Sequence, residues 1–546
     1  MLVSSRVPPD AVLPKPPSGV LSGGEGGNSP PDRPQTLGEV IRSYADKQPN
    51  QPAIISSNFA PLSYRHLQQQ IESIGCQVRQ AGLGRTSRIG IAFPDGPEAV
   101  LATVAVACSA VAVPIDPKLA SAELDLRLKF LRLEAIILLR DSASTARSVA
   151  EYRGLRIIEA YPIGGGELGL QLDVPATNSS VPSEEPEPEA VAFILQTSGT
   201  TALPKLIPFS HRNMLAAAER LRAWFKLTPL DRCLSVSPQY YSHGLKVTVF
   251  TPLLTGGSLA LPTSATAMDF VEWFDLLKPT WYSAGPTFHR FVLDAARATP
   301  DAGTVHSLRF VVSGGAPLPA EVRDGLQTVL GAPVLEHYGS SEAAQIAANL
   351  PFPGLSKPGT CGKPWPGTLV IVDEEGHPLP PDKQGEILVG GPTLTSGYLD
   401  DPELNRTAFV DGRLRTGDIG SLDQDGFLTL HGRIKELINR GGEKISAEEV
   451  ENFAYQLDAV DLAAAVAMPD PVLGERVCLY VTLAHGGSIT LTDVTDLMNA
   501  AGVARFKLPE RLVVVEELPT TKVGKLDKKA IREDLRNRLA EEGHQL

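Results

Sequence analysis

Short apolar runs that read as strands recur between helical stripes, and this alternation constrains the fold more than any other feature. The runs Arg88–Phe93 (RIGIAF), 110–115 (AVAVPI) and 135–139 (AIILL) are rich in Val and Ile and separated by helix-length segments. Such spacing predicts an α/β class fold of stacked layers around a largely parallel sheet. The first helix is expected to start at Thr36. Its hydroxyl is placed to cap, Glu39 completes a capping box, and Leu37, Val40, Ile41 and Tyr44 form one apolar stripe. Upstream, residues 1–35 are rich in Pro and Gly without periodicity and read as a disordered tail.

The uncharged stretch 99–115 (AVLATVAVACSAVAVPI) contains Thr103, Ser109 and Pro114, so a buried helix followed by a buried strand fits better than a membrane span. Residues 171–190 are polar, acidic and Pro-rich and read as a surface connection. A new strand, VAFIL, begins at Val191, and a second α/β stretch covers roughly 208–345. Segments dense in Gly, Pro and Asp between 360 and 432 predict a small β-subdomain of hairpins. The division expected is a tail at 1–35, a large unit at 36–433 and a smaller, mobile α+β unit at 434–546, within the range that 546 residues allow.

A formal charge of −13 argues against a nucleic-acid partner, which needs a basic face. Five scattered cysteines show no metal spacing and suit a reducing compartment. No basic stretch leads into an apolar core at the N-terminus. The expected location is therefore cytoplasmic.

Directly after the strand at 191–195 come Gln196, Thr197, Ser198, Gly199, Thr200, Thr201, Ala202, Leu203, Pro204 and Lys205. Crowded hydroxyls, a glycine and a cation can wrap phosphate oxygens, as backbone nests do. The loop is not a Walker A sequence. Composition alone leaves a phosphate loop and an ordinary Ser/Thr surface turn both open.

The segment TSGTTALPK resembles the TSGTTGxPKG signature of the acyl-adenylate-forming superfamily, which includes acyl-CoA synthetases, peptide-synthetase adenylation domains and beetle luciferases. Ala202 and Leu206 stand where that signature has glycines, which reduces loop flexibility. The remaining signatures follow in family order across 36–535. By this resemblance Thr197, Ser198, Gly199, Thr200, Thr201 and Lys205 hold ATP phosphates. The turn Ser313, Gly314, Gly315, Ala316 packs against adenine. Within Glu336, His337, Tyr338, Gly339, Ser340, Ser341 and Glu342, the resemblance makes Tyr338 the adenine stacker, Ser341 the α-phosphate hydroxyl and Glu342 the Mg2+ ligand. Glu342 alone would read as a solvated surface charge.

The resemblance also implies that Asp418 and Arg433 hold the ribose, that Lys435 marks a hinge, and that a strand at Gly441–Gly442 lines the coenzyme A channel with Lys444 nearby. Lys525, in a closing segment similar to PxTxxGK, is expected to be the adenylation lysine, its ammonium lying between carboxylate and α-phosphate. Without the resemblance it is one lysine among Lys522, Lys528 and Lys529.

The implied chemistry is ATP-dependent formation of an acyl-adenylate, then transfer to the thiol of coenzyme A. A carrier-protein phosphopantetheine is the alternative acceptor. The acyl pocket is expected among Tyr241, His243, Lys246, Ser283, His289 and Ser313. His243 stands where amino-acid adenylation domains usually carry an Asp, which disfavours an α-amino acid, and Tyr241 stands at the position of a gating histidine. An inward His243 or Lys246 favours a small polar or dicarboxylic acid. The stretch from Trp281 to Glu449 resembles oxalate-type CoA ligases, with coumarate-type aryl acids and medium-chain fatty acids left open.

Overall fold

Thr36 caps the first helix as its spacing predicts. Its hydroxyl accepts from the Glu39 N–H, the Glu39 carboxylate accepts from the Thr36 N–H, and helix Leu37–Lys47 follows with Leu37 and Ile41 fully buried. The computed structural model describes residues 34–542 apart from 143, 164–165, 175–184, 198–203, 263–269, 299–306, 485 and 521–525.

The apolar stretch at 99–115 divides as expected, into helix Pro97–Ala107 and strand Val111–Pro114. Every residue from Ala99 to Ala107 is buried, because the helix is apolar on all sides and packs within the first layer, against helix Tyr64–Gln80 among others. No helix among the described residues is long and apolar enough to cross a membrane.

The strand at 111–114 lies in a seven-stranded sheet. Its order is 170–172, 157–162, 135–139, 88–91, 111–114, 191–196, 206–210, with antiparallel strands at both edges and parallel strands between. A second, nine-stranded sheet runs 363–364, 344–348, 334–340, 310–313, 281–284, 232–234, 258–261, 52–56, 59–63. Its central strands are parallel, so the ends of 281–284, 310–313 and 334–340 deliver Ser283, Ser313 and the 336–342 segment along one edge. That edge is where open α/β sheets bind ligands.

The hairpin-rich passage forms a five-stranded antiparallel sheet around the long strand Arg413–Leu422. The C-terminal residues form a separate five-stranded sheet of 437–440, 443–446, 460–470, 474–483 and 511–514, covered by helices 447–454, 491–500 and 528–541. The structure is therefore α/β with a large N-terminal part and a small α+β C-terminal domain.

One expectation is corrected. Gly441 and Gly442 are not strand residues but the two-residue turn joining 437–440 to 443–446. Both have positive φ, +59° and +98°, which is what a tight hairpin of this twist demands and what glycine supplies.

Tyr64 ties helix Tyr64–Gln80 to the segment that leads into strand 258–261. Its buried hydroxyl lies 2.7 Å from the Gly257 carbonyl and 3.0 Å from the Leu253 carbonyl. Tyr64→Phe leaves these acceptors without that donor and is expected to cost about 1–3 kcal/mol, read as a lower urea midpoint for the large part of the protein.

Candidate active site

Strands 191–196 and 206–210 pair antiparallel, and the Thr197 N–H donates to the Lys205 carbonyl at 3.1 Å, so the hydroxyl-rich loop is pinched shut at its base. Ser198, Gly199, Thr200 and Thr201 lie outside the described residues. The Thr197 hydroxyl is buried without a hydrogen-bond partner among the described residues. An unsatisfied hydroxyl at the neck of such a loop is a costly feature unless a ligand supplies the acceptor.

Lys205 extends from the loop to the Tyr398 ring, with Nζ 4.7 Å from its centroid. The Tyr398 hydroxyl in turn donates to Glu342 Oε1 at 2.9 Å. The turn bearing Glu342 is held at several points. Lys246 Nζ donates to the Ser341 carbonyl at 2.9 Å, the Thr395 N–H to the Glu342 carbonyl at 2.8 Å, and the Thr393 hydroxyl to the Ala343 carbonyl at 2.8 Å. Ser341 and Glu342 themselves are only half-buried, so their side chains face an accessible space. An oxygen-donor carboxylate fixed by a phenol and set close to a phosphate loop suits a hard divalent cation that keeps most of its waters.

Tyr338 is buried, and its hydroxyl donates to Asp418 Oδ2 at 2.5 Å. Asp418 pairs in register with Arg433 across strands 413–422 and 428–433, and Arg433 Nε donates to Asp418 Oδ1 at 2.8 Å. Burial raises the Asp418 pKa, and Arg433 opposes this; burial likewise raises Tyr338 well above the usual phenol range. Lys435 follows two residues on, its pKa lowered by burial and by Arg433. Glu336 is raised by burial against the pull of Arg323.

The turn after Ser313 is shaped by contact with His337. Gly314 has no room for a side chain, because a Cβ there falls inside the His337 imidazole. Gly315 and Ala316 beyond it are exposed, and Gly315 has φ +89°. Gly339 also lacks room, since its Cβ position lies against the Ala344 carbonyl.

Tyr241, His243 and Lys246 come from a segment whose residues 243–250 form a π-helix, a form found often at functional sites. Gly244 permits this, as a Cβ there collides with the Pro238 carbonyl. His243 Nε2 meets the Ser283 hydroxyl at 2.9 Å, and its ring stands edge-on to His337 at 5.4 Å. Nearby, the Tyr282 hydroxyl lies 3.3 Å from His289 Nδ1. The Ser313 hydroxyl and His337 Nδ1 are buried without partners. Burial lowers His337 to about 3 and His289 to about 4, so both imidazoles are neutral at pH 7. Burial, with Asp116 adding, pushes Tyr241 up to about 12.

Lys246 departs from the acyl-pocket expectation. It is fully buried, and its Nζ meets the Ser341 carbonyl and the Phe209 ring rather than the His243–Ser283 pair. Burial pulls it down to about 7, with Glu342 opposing. Lys444 pairs with Glu374 on the β-subdomain. Lys525 lies outside the described residues; Thr520 and Leu526 on either side of it form an isolated antiparallel bridge. Sequence reasoning passed over Tyr398. Its only signal was a lone aromatic in the Ser-Gly-Tyr-Leu segment, with nothing to tie it to Glu342.

The fold and this arrangement define an enzyme of adenylate formation. The chain belongs to the AMP-binding enzyme family, AMP-forming acid–thiol ligases, with residues 41–399 matching the family and 449–525 matching its C-terminal domain. It is 32% identical to a probable CoA ligase of Humulus lupulus, CCL9, over 91% of this chain and 96% of that one. It is equally 32% identical to an oxalate–CoA ligase of Arabidopsis thaliana, over 91% and 98%. Among solved structures it is similar to ATP-bound MatB from Rhodopseudomonas palustris, at 25% identity and a TM-score of 0.82, covering 92% of this chain and 99% of that one.

Gly314→Ala forces His337 out of its place. Overpacking of about 1–3 kcal/mol is expected to reduce kcat/KM for acid-dependent ATP–pyrophosphate exchange about 10- to 100-fold, with Leu230→Gln on the exposed surface as an unaffected control.

Proposed function

We propose that this protein activates a small, polar carboxylic acid as its acyl-adenylate and transfers the acyl group to coenzyme A, releasing pyrophosphate and then AMP. The observation that carries the reading is the chain of contacts from Lys205 through Tyr398 to Glu342, lying on the same sheet edge as the Tyr338–Asp418–Arg433 set. The first set suits a triphosphate and the second a nucleoside.

In this reading the hydroxyl of Thr197 and the ammonium of Lys205 bind phosphate oxygens, and Ser341 orients the α-phosphate. Glu342 holds Mg2+, which shields phosphate charge as it does on nucleotides generally. Asp418 and Arg433 hold the ribose, while Tyr338 and the turn of Gly314, Gly315 and Ala316 flank adenine, with Glu336, His337 and Gly339 completing the wall. The substrate carboxylate attacks the α-phosphorus and pyrophosphate departs. No protein nucleophile is needed, so rate comes from alignment and from cations placed where charge shifts. Lys525 is the cation for that step.

The small domain, taken from residue 434, then turns about Lys435. The hairpin turn of Gly441 and Gly442, with Lys444, approaches the site, and the thiol attacks the mixed anhydride. The acid is read from the buried polar wall of His243, Ser283, Ser313 and His337. Two of its groups have no partner among the described residues, so an acid bearing a second oxygen function satisfies them and an alkyl chain does not. Similarity to oxalate–CoA ligase points the same way.

Pyrophosphate release is to be measured across oxalate, other short dicarboxylates, coumarate and octanoate, with and without coenzyme A. Release with the short polar acids, and thioester only when coenzyme A is added, is the expected result. No release with any acid overturns the proposal, and turnover of octanoate alone overturns the assignment of the acid. Lys525→Ala is expected to lower adenylate formation by at least about 100-fold while leaving thioester formation from supplied acyl-adenylate intact. Equal loss in both half-reactions removes Lys525 from its role.

A further inference from the structure

A lysine with no exposure anywhere in a protein is rare, because its charge and its flexible stem both oppose burial. Lys246 has 0% exposure. Among the described residues it makes no ion pair within 4 Å, so ordinary charge pairing does not explain its position. Its Nζ has two neighbours of note. One is the Ser341 carbonyl at 2.9 Å, and the other is the face of Phe209, 4.0 Å from the ring centroid. Phe209 lies on strand 206–210, which leaves the phosphate loop, and Ser341 lies in the turn that carries Glu342. Lys246 thus sits between the two nucleotide-facing elements and touches both from beneath.

The π-helix accounts for how one segment serves two sites. Only two residues, Gly244 and Leu245, separate His243 from Lys246. Yet His243 reaches Ser283 at the end of one central strand, and Lys246 reaches the turn after 334–340, on the far side of the intervening strand 310–313. The other contacts described on the turn come from a different segment, from Thr393, Thr395 and Tyr398. Removing Lys246 takes away the hydrogen bond by which helix 243–250 holds the turn.

We propose that Lys246 is a positioning residue for the nucleotide half-reaction, holding the Ser341–Glu342 turn from below so that Ser341 and Glu342 meet the magnesium nucleotide, and that it does not contact the acid. This rests on the function proposed above and assigns a further residue to it.

The test begins with acid-dependent pyrophosphate release by the unaltered protein. Its absence defeats the functional reading itself, independently of Lys246. With activity established, Lys246→Met, which keeps the stem and removes the donor, is compared in three measurements. The Kd for magnesium ATP, by calorimetry without acid, is expected to rise about tenfold, the scale of a lost buried hydrogen bond from a charged donor. The KM for the acid is expected to change less than about twofold, and thioester formation from supplied acyl-adenylate to be preserved, since no new buried charge is left near either. A rise in the acid KM with an unchanged nucleotide Kd overturns the proposal and returns Lys246 to the acyl pocket. A uniform loss in all three marks a merely structural role and overturns it too. Should Lys246→Met fail to fold, Lys246→Leu, which likewise removes the donor, is read on the same three measurements, and an unchanged nucleotide Kd there is equally fatal.

Discussion

The hydrogen bond from Tyr338 to Asp418 is the constraint around which the site is organised. It joins the end of a central strand in the large parallel sheet to the long strand of the antiparallel subdomain. Asp418 also receives Arg433, four residues before the C-terminal sheet begins at Leu437. A buried carboxylate is tolerated only when its oxygens are occupied, and here a phenol and a guanidinium occupy them. Two sheets are thereby referred to one fixed point.

Around that point the chain supports its reactive groups mostly with backbone contacts. The turn at 341–343 has its carbonyls taken by Lys246, Thr395 and Thr393, which leaves the Glu342 side chain to be aimed by Tyr398 alone. Glycines at 314 and 339 let neighbouring strands and side chains close to distances no other residue permits. Precise placement of this kind is what a reaction without a covalent protein intermediate requires.

Much of the architecture was legible in the sequence. The Thr36 capping box, the strand at 135–139 and the division of 99–115 into helix and strand follow from local pattern, since each is decided within a few residues. The 441–442 turn was misjudged because the resemblance suggested a strand, while a Gly-Gly pair between alternating runs is itself a hairpin signal. Tyr398 and the true surroundings of Lys246 were not legible, because both depend on partners 56 and 95 residues away and on a helix of unusual pitch. Family resemblance carried the nucleotide residues; it carried no information about which way a buried lysine turns.

The Lys444–Glu374 pair has a consequence for the joint between the parts. Both side chains are more than half exposed, and the described links beside them include the Ser446 hydroxyl on the His431 carbonyl and an Arg290–Asp461 ion pair at 3.9 Å. Solvent-facing ion pairs of this sort contribute little, at most about 1 kcal/mol. Water and dissolved salt compete with them on nearly equal terms. Parting such a joint costs little in these contacts.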